Sequence, residues 1–215
     1  MKKITIAVGY CYYNDLRSIQ RGLPTFVNDV DFVFAIDGRF SMRDGEDYST
    51  DGSTEFLQTF PNVIIRKFIG MEHEKRNQYL ELADEMEVDV LLIIDTDEYV
   101  KNADWEQFRL HLSKIVNYAD NIQGIKFYSM PDQWSSYPRI WLRPNEIRYW
   151  KTHNIFVVNG NLVRSPNRTP VKGIEMGMDD SLRDPEYLKK TSEYQAKMIT
   201  YERPFRHAFY NGLKI

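Results

Sequence analysis

The chain of 215 residues contains a single cysteine, no long apolar run and no large excess of either charge. One thiol, Cys11, excludes a disulfide framework within the chain and suits a reducing compartment, so a core must hold the fold. Cys11 follows the first apolar segment, where a buried structural thiol is expected rather than a nucleophile. No stretch approaches the roughly 20 apolar residues of a membrane span, and the segment after Met1-Lys2-Lys3 turns polar too early for a signal peptide. The net charge of −3 argues against a large sequence-independent nucleic-acid footprint. Internal repeats and low-complexity tracts are missing as well. The expectation is a soluble, cytoplasmic protein with no transmembrane segment, leaving open peripheral contact with a membrane surface.

What is present is concentrated in one stretch. Val90-Leu91-Leu92-Ile93-Ile94 is a continuous apolar run, and Asp95-Thr96-Asp97-Glu98 follows at once with three carboxylates in four residues. Such a run reads as a strand buried on both faces, and ligands of open α/β sheets bind where such strands meet solvent. If the strand stays regular, Asp95 and Asp97 share a side. Two neighbouring carboxylates repel unless a cation or proton intervenes, which favours a hard divalent ion such as Mg2+ or Mn2+. Solvated turn acids are the plainer alternative.

Around it, strand-like and helix-like segments alternate. Ile4–Val8, Asp31–Ile36, Asn62–Arg66 and the acid-tipped run read as strands. Asp15–Arg21, a segment from Ser53, Glu72–Met86 and a segment from Asp104 read as helices. Tyr79, Leu82, Ala83 and Met86 form one apolar stripe, and Trp105, Phe108, Leu112, Ile115 and Ala119 another, both core-facing. Four alternations predict a mostly parallel sheet flanked by helices. After residue 120 the pattern changes to short strands at Gly124–Ser129, Arg139–Leu142, Ile147–Trp150 and Phe156–Val158. A polar loop at 164–173 and a helix over about Pro185–Ile199 follow. One domain spans 1–215 in this reading, with a nucleotide-binding half to about 120 and a half completing the site from 121. Aromatic residues make up 14%, a share that suits a core and also stacking clefts.

Five segments, in order, resemble the glycosyltransferases of the GT-A fold, in particular the small family 2-like enzymes. They are Ile4–Val8 through Tyr13-Asn14-Asp15; Asp37 with Ser49-Thr50-Asp51-Gly52-Ser53-Thr54; Lys75-Arg76-Asn77; Asp95-Thr96-Asp97-Glu98; and Pro138–Arg143 with Ile147-Arg148-Tyr149 and His153. Asn154 departs from the pattern, which has Glu after the histidine. Residues 38 to 48 read as an insertion, and little beyond 160 matches.

The resemblance implies an α/β GT-A fold with a mixed, mostly parallel central sheet. It also implies metal-dependent transfer of a sugar from a nucleotide-sugar, UDP-linked or similar, to an acceptor hydroxyl with inversion. Asp97 would be the first ligand of Mn2+ or Mg2+, Asp95 would lie at the ribose or the metal's waters, and His153 would complete the coordination as neutral imidazole. Donor contacts would come from Val8, Tyr10, Asp37, Lys75, Arg76, Asn77, Asp95 and Thr96. Lys75 and Arg76 sit near a helix start, a poor place for cations unless an anion is bound. The general base is sought at Asp179, Asp180 or Asp132. The acceptor could be a saccharide, a lipid-linked precursor, a protein or modified DNA. The basic segment with Arg164, Arg168 and Lys172 suggests a lid or an anionic acceptor. Two rivals stand beside this reading: a haloacid-dehalogenase-like phosphatase, which also ends a strand in Asp-x-Asp, and a non-catalytic nucleotide- or glycan-binding relative. Tyr99 stands where that phosphatase fold wants Thr or Val.

Overall fold

Val- and Ile-rich runs between polar turns become strands because branched side chains pack well on a pleated, covered surface. A computed structural model describes residues 3–119, 127–129, 139–142, 147–151, 156–158, 161–163, 169–170, 173–178 and 185–210. The first half alternates β1 (Ile6–Tyr12), α1 (Leu16–Gly22), β2 (Phe32–Asp37), α2 (Ser53–Leu57), β3 (Val63–Lys67), α3 (Glu72–Glu85) and β4 (Val90–Ile93). It continues through β5 (Glu98–Ala103) and α4 (Trp105–Ala119). The second half contributes β6 (Phe127–Ser129), β7 (Ile140–Leu142), β8 (Ile147–Tyr149), β9 (Phe156–Val158), β10 (Asn161–Val163), β11 (Thr169–Pro170), β12 (Ile174–Met178) and α5 (Pro185–Tyr210).

Among the described residues the main sheet runs β11-β6-β7-β4-β1-β2-β3. β3, β2, β1 and β4 are parallel neighbours, and antiparallel β7 sits beside β4. The mixed, mostly parallel sheet with helices on its faces is therefore present as expected. Alternation along the strands builds two cores. Ile6, Val8, Tyr10, Val90 and Leu92 face the layer of Phe26, Phe108 and Leu112. Ala7, Leu91 and Ile93 face Tyr79, Leu80 and Trp141. Each fully buried aliphatic side chain contributes about 1.5–3 kcal/mol, so this double cover anchors the sheet from which the site projects.

Four differences from the sequence reading have physical causes. The acid run does not prolong its strand: β4 stops at Ile93, and Asp95–Glu98 is a turn closed by the Glu98 N–H on the Asp95 carbonyl at 3.0 Å. Strand alternation therefore does not put Asp95 and Asp97 on one side. β5 then leaves in a new direction and pairs antiparallel with β12, a long-range pairing that no local pattern announces. Met86 caps α3 and is 38% exposed, outside the stripe assigned to it. Finally, α5 continues past Ile199 and through Pro204, supported by the Glu202–Arg206 ion pair and by Trp150 packed on Phe205 at 6.1 Å. No helix among the described residues is long and apolar enough to cross a membrane.

Candidate active site

The carboxyl ends of β1, β2 and β4 meet at one edge of the sheet, where a cleft of about 200 Å3 opens. Its walls carry the acids Asp15, Glu72, Asp95 and Asp97, the bases Arg43, Lys75 and Arg76, and rings including Tyr12, Phe40 and Tyr194. Glycine allows the close approaches that shape this edge. A Cβ on Gly22, at the end of α1, would lie 2.5 Å from the Glu98 carbonyl oxygen. Gly38 has φ +137°, and a Cβ there would meet the Phe68 carbonyl at 2.2 Å, so only glycine suits either turn.

The acid turn is internally wired. Asp95 accepts from Arg76 Nη2 at 3.0 Å and from Arg139 Nη1 at 3.2 Å, one guanidinium for each oxygen. Arg139 also bonds Glu98, which accepts the Asp95 backbone N–H at 2.7 Å. Burial opposes the charge on Asp95, yet the two guanidiniums outweigh it and hold the carboxyl well below the usual range. Burial and then the negative Asp95 push Glu98 up, against the pull of Arg139. Thr96 turns inward and donates to Asp15 Oδ2 at 2.8 Å. Asp97, half-buried like Asp95, also lines the cleft.

Several residues singled out from sequence have different work here. Val8 and Tyr10 are fully buried in the core and are not part of the cleft lining. Asp37 ends β2 as expected but is wholly buried, accepting from Ser49 Oγ at 2.7 Å and Thr54 Oγ1 at 3.2 Å. It organises the Ser49–Thr54 turn, the capping role weighed against base contact. Lys75 is buried between strand ends, donating to the carbonyls of Tyr12, at 2.7 Å, and Gly38. Arg76 is paired with Glu72 at 3.1 Å as well as with Asp95, so acids already answer the cation near the start of α3. Asn77 clasps the Tyr149 backbone through both ends of its amide, at 3.0 and 2.8 Å, and ties α3 to β8. Thr96 is directed to Asp15 rather than to a ribose. Asp132, His153, Asp179 and Asp180 lie outside the described residues.

In the sequence Arg139 stands out only as part of the Pro138–Arg143 segment, and it is the fold that sets it between Asp95 and Glu98. The Pro-Arg-Ile-Trp segment was its only signal. The insertion at 38–48 proves folded against the β1 end, through Tyr13 Oη on the Glu46 carbonyl at 2.6 Å and the Phe40–Gly70 bridge.

Lys75 yields a pH-dependent prediction. Burial lowers its ammonium from 10.5 to about 8. Between those values the unfolded chain keeps a proton that the folded one releases, so this group adds stability as pH rises through the window, by roughly 3 kcal/mol in all. The neutral amine still donates to both carbonyls. Lys75→Met removes the linkage, so the stability of wild type relative to this variant, from urea unfolding at pH 8 and 10, should grow with pH. A constant difference would contradict this account.

No protein-family profile matches the chain, and no curated protein matches it. Among solved structures, S. aureus TarS 1-349 in complex with UDP-GlcNAc superposes with a TM-score of 0.52 at 13% identity, covering 86% of this chain and 61% of that one. The fold is the GT-A architecture. The same TarS region in complex with UDP matches with a TM-score of 0.42 and 16% identity over 63% of this chain and 38% of that chain. This GT-A chain thus spans less than two thirds of the TarS chains it matches.

Proposed function

We propose that the protein is a glycosyltransferase that takes a sugar from a UDP-linked or similar nucleotide-sugar and moves it to an acceptor hydroxyl with inversion. The observation that carries this reading is the placement of the acid turn at the carboxyl end of β4, in a cleft of a GT-A sheet lined by both acids and bases. The TarS structure with the same fold is a complex with UDP-GlcNAc, which supports this donor class.

In the transfer the acceptor oxygen forms a bond to the anomeric carbon while the bond from that carbon to the diphosphate oxygen breaks. The electron pair leaves with the nucleotide diphosphate and the acceptor proton goes to a base. Asp179, Asp180 and Asp132 remain the proposed bases. The clamped Asp95 keeps the turn in place.

The donor chemistry at the turn fits a hard divalent cation only in part. Among the described residues no group of three His, Cys, Asp or Glu could hold a metal. With Asp95 committed to two arginines, Asp97 is the carboxylate we propose for Mn2+ or Mg2+, and a diphosphate and water would supply further oxygens, as Mg2+ commonly accepts. His153 is proposed as a further ligand. When bound, the ion would neutralise charge developing on the leaving diphosphate.

Calorimetry of UDP binding with Mn2+ and then with EDTA tests the metal assignment. Affinity is expected to fall at least about tenfold on chelation, since an oxygen-ligated cation must be shared by the Asp97 carboxylate and the diphosphate. Equal affinity in both would remove the metal from the proposal. The phosphatase alternative is disfavoured because both Asp95 oxygens accept from guanidiniums, leaving its nucleophile position engaged.

A further inference from the structure

Helix α5 brings Tyr194 to the wall of the cleft from a part of the chain remote from the acid turn. Its ring is stacked on Phe40, with centroids 4.8 Å apart and planes 11° from parallel. The Lys75 ammonium lies over the Phe40 ring at 5.1 Å from the centroid. The phenol is therefore held in place by a ring that belongs to the insertion. It is 6% exposed, and its hydroxyl is buried with no hydrogen-bond partner among the described residues.

A buried hydroxyl without a partner is unfavourable, and phenylalanine would fill the same volume without that cost. Burial, and next the field of Glu72, push the phenol far above its ordinary range, so it stays protonated and can donate. Glu202, Arg76 and Arg43 are the other charged groups acting on it. The carboxylates already have cationic partners: Glu72 pairs with Arg76 and Glu202 with Arg206. An O–H donor near two guanidiniums is complementary to an anionic oxygen.

We propose that the Tyr194 hydroxyl donates a hydrogen bond to a phosphate oxygen of the nucleoside diphosphate bound in the cleft, which makes α5 part of the donor site. The assignment rests on the nucleotide-sugar reading above. It adds a binding residue from the last helix, and it gives a partner to a polar ring stacked where an apolar one would otherwise be more stable. Through the Phe40 stack, the insertion at 38–48 and α5 become one wall of that site.

Tyr194→Phe is the test, because it keeps the stack and deletes one oxygen. UDP affinity by calorimetry is expected to fall about tenfold or more. The melting temperature of the ligand-free variant should equal or exceed that of wild type. Uridine affinity, followed by ligand-observed NMR, should not change. Unchanged UDP affinity overturns the assignment. A lower ligand-free melting temperature also overturns it, since the phenol would then have a structural partner, as does an equal loss for uridine, which would move the contact to the nucleoside. Wild-type protein that binds neither UDP nor uridine would overturn the nucleotide-sugar reading and this assignment together. Wild-type binding that Tyr194→Phe leaves intact would overturn the Tyr194 assignment alone.

Discussion

Asp97→Asn is expected to lower the release of UDP from a UDP-sugar by at least about a hundredfold to a thousandfold, the usual loss when one preorganised electrostatic group at a reacting centre is removed. The folded protein should tolerate the change. Asp97 sits in a turn at the solvent end of the sheet, half-buried and outside both hydrophobic cores, so the substitution opens no cavity in either core. Neighbouring Asp95→Asn should behave differently, because it removes the charge that two guanidiniums share and leaves each with one carboxylate, Glu72 for Arg76 and Glu98 for Arg139. The measurements are turnover against a panel of UDP-sugars and calorimetric melting of the metal-free proteins. A large drop in melting temperature for Asp97→Asn would make the residue structural, and wild-type turnover would remove it from the chemistry.

Arg139→Met should be the most destabilising single change at the site. The side chain is 10% exposed, its partner Glu98 is 4% exposed, and deleting one member of a buried pair typically costs about 3–5 kcal/mol. For a chain of this size that corresponds to roughly 10 °C in melting temperature. The loss should depend on pH. With Arg139 gone, the pull that opposes burial disappears and Glu98 is pushed higher still. Glu98 is already raised to about 8 in the wild type, so both proteins lose stability together as pH rises from about 5 toward 8, and the proton the variant holds longer makes its loss grow only above that range. Glu98→Gln in the same background removes the buried charge and should recover much of the loss and flatten the pH slope. Chemical denaturation of wild type, the two single variants and the double variant at pH 7 and 9.5 measures each term. If Arg139→Met costs less than about 1 kcal/mol at both, the network is not what holds the turn.

Sequence alone determined the strands and helices of the first half other than β5, because hydrophobic periodicity and turn residues are local signals that survive without tertiary context. It also located the acid turn, since an apolar run that stops in carboxylates can only be a core strand reaching an edge. What it could not provide was the direction of each side chain at that edge. Asp95 and Asp97 looked equivalent on a strand, but a turn begins two residues after β4 ends, and two arginines, one from α3 and one just before β7, claim Asp95. Lys75 looked like a cation facing a phosphate, yet two backbone carbonyls brought together by β1 and β2 draw it inward. Asn77 and Asp37, each readable from sequence either as a ligand contact or as a residue that fixes a loop or turn, act in this structure as clasps. Each of these outcomes depends on partners more than ten residues away, and such partners are set by the packing of strands and helices rather than by the local pattern. The pairing of β5 with β12 and the arrival of Tyr194 beside Phe40 are decided in the same way.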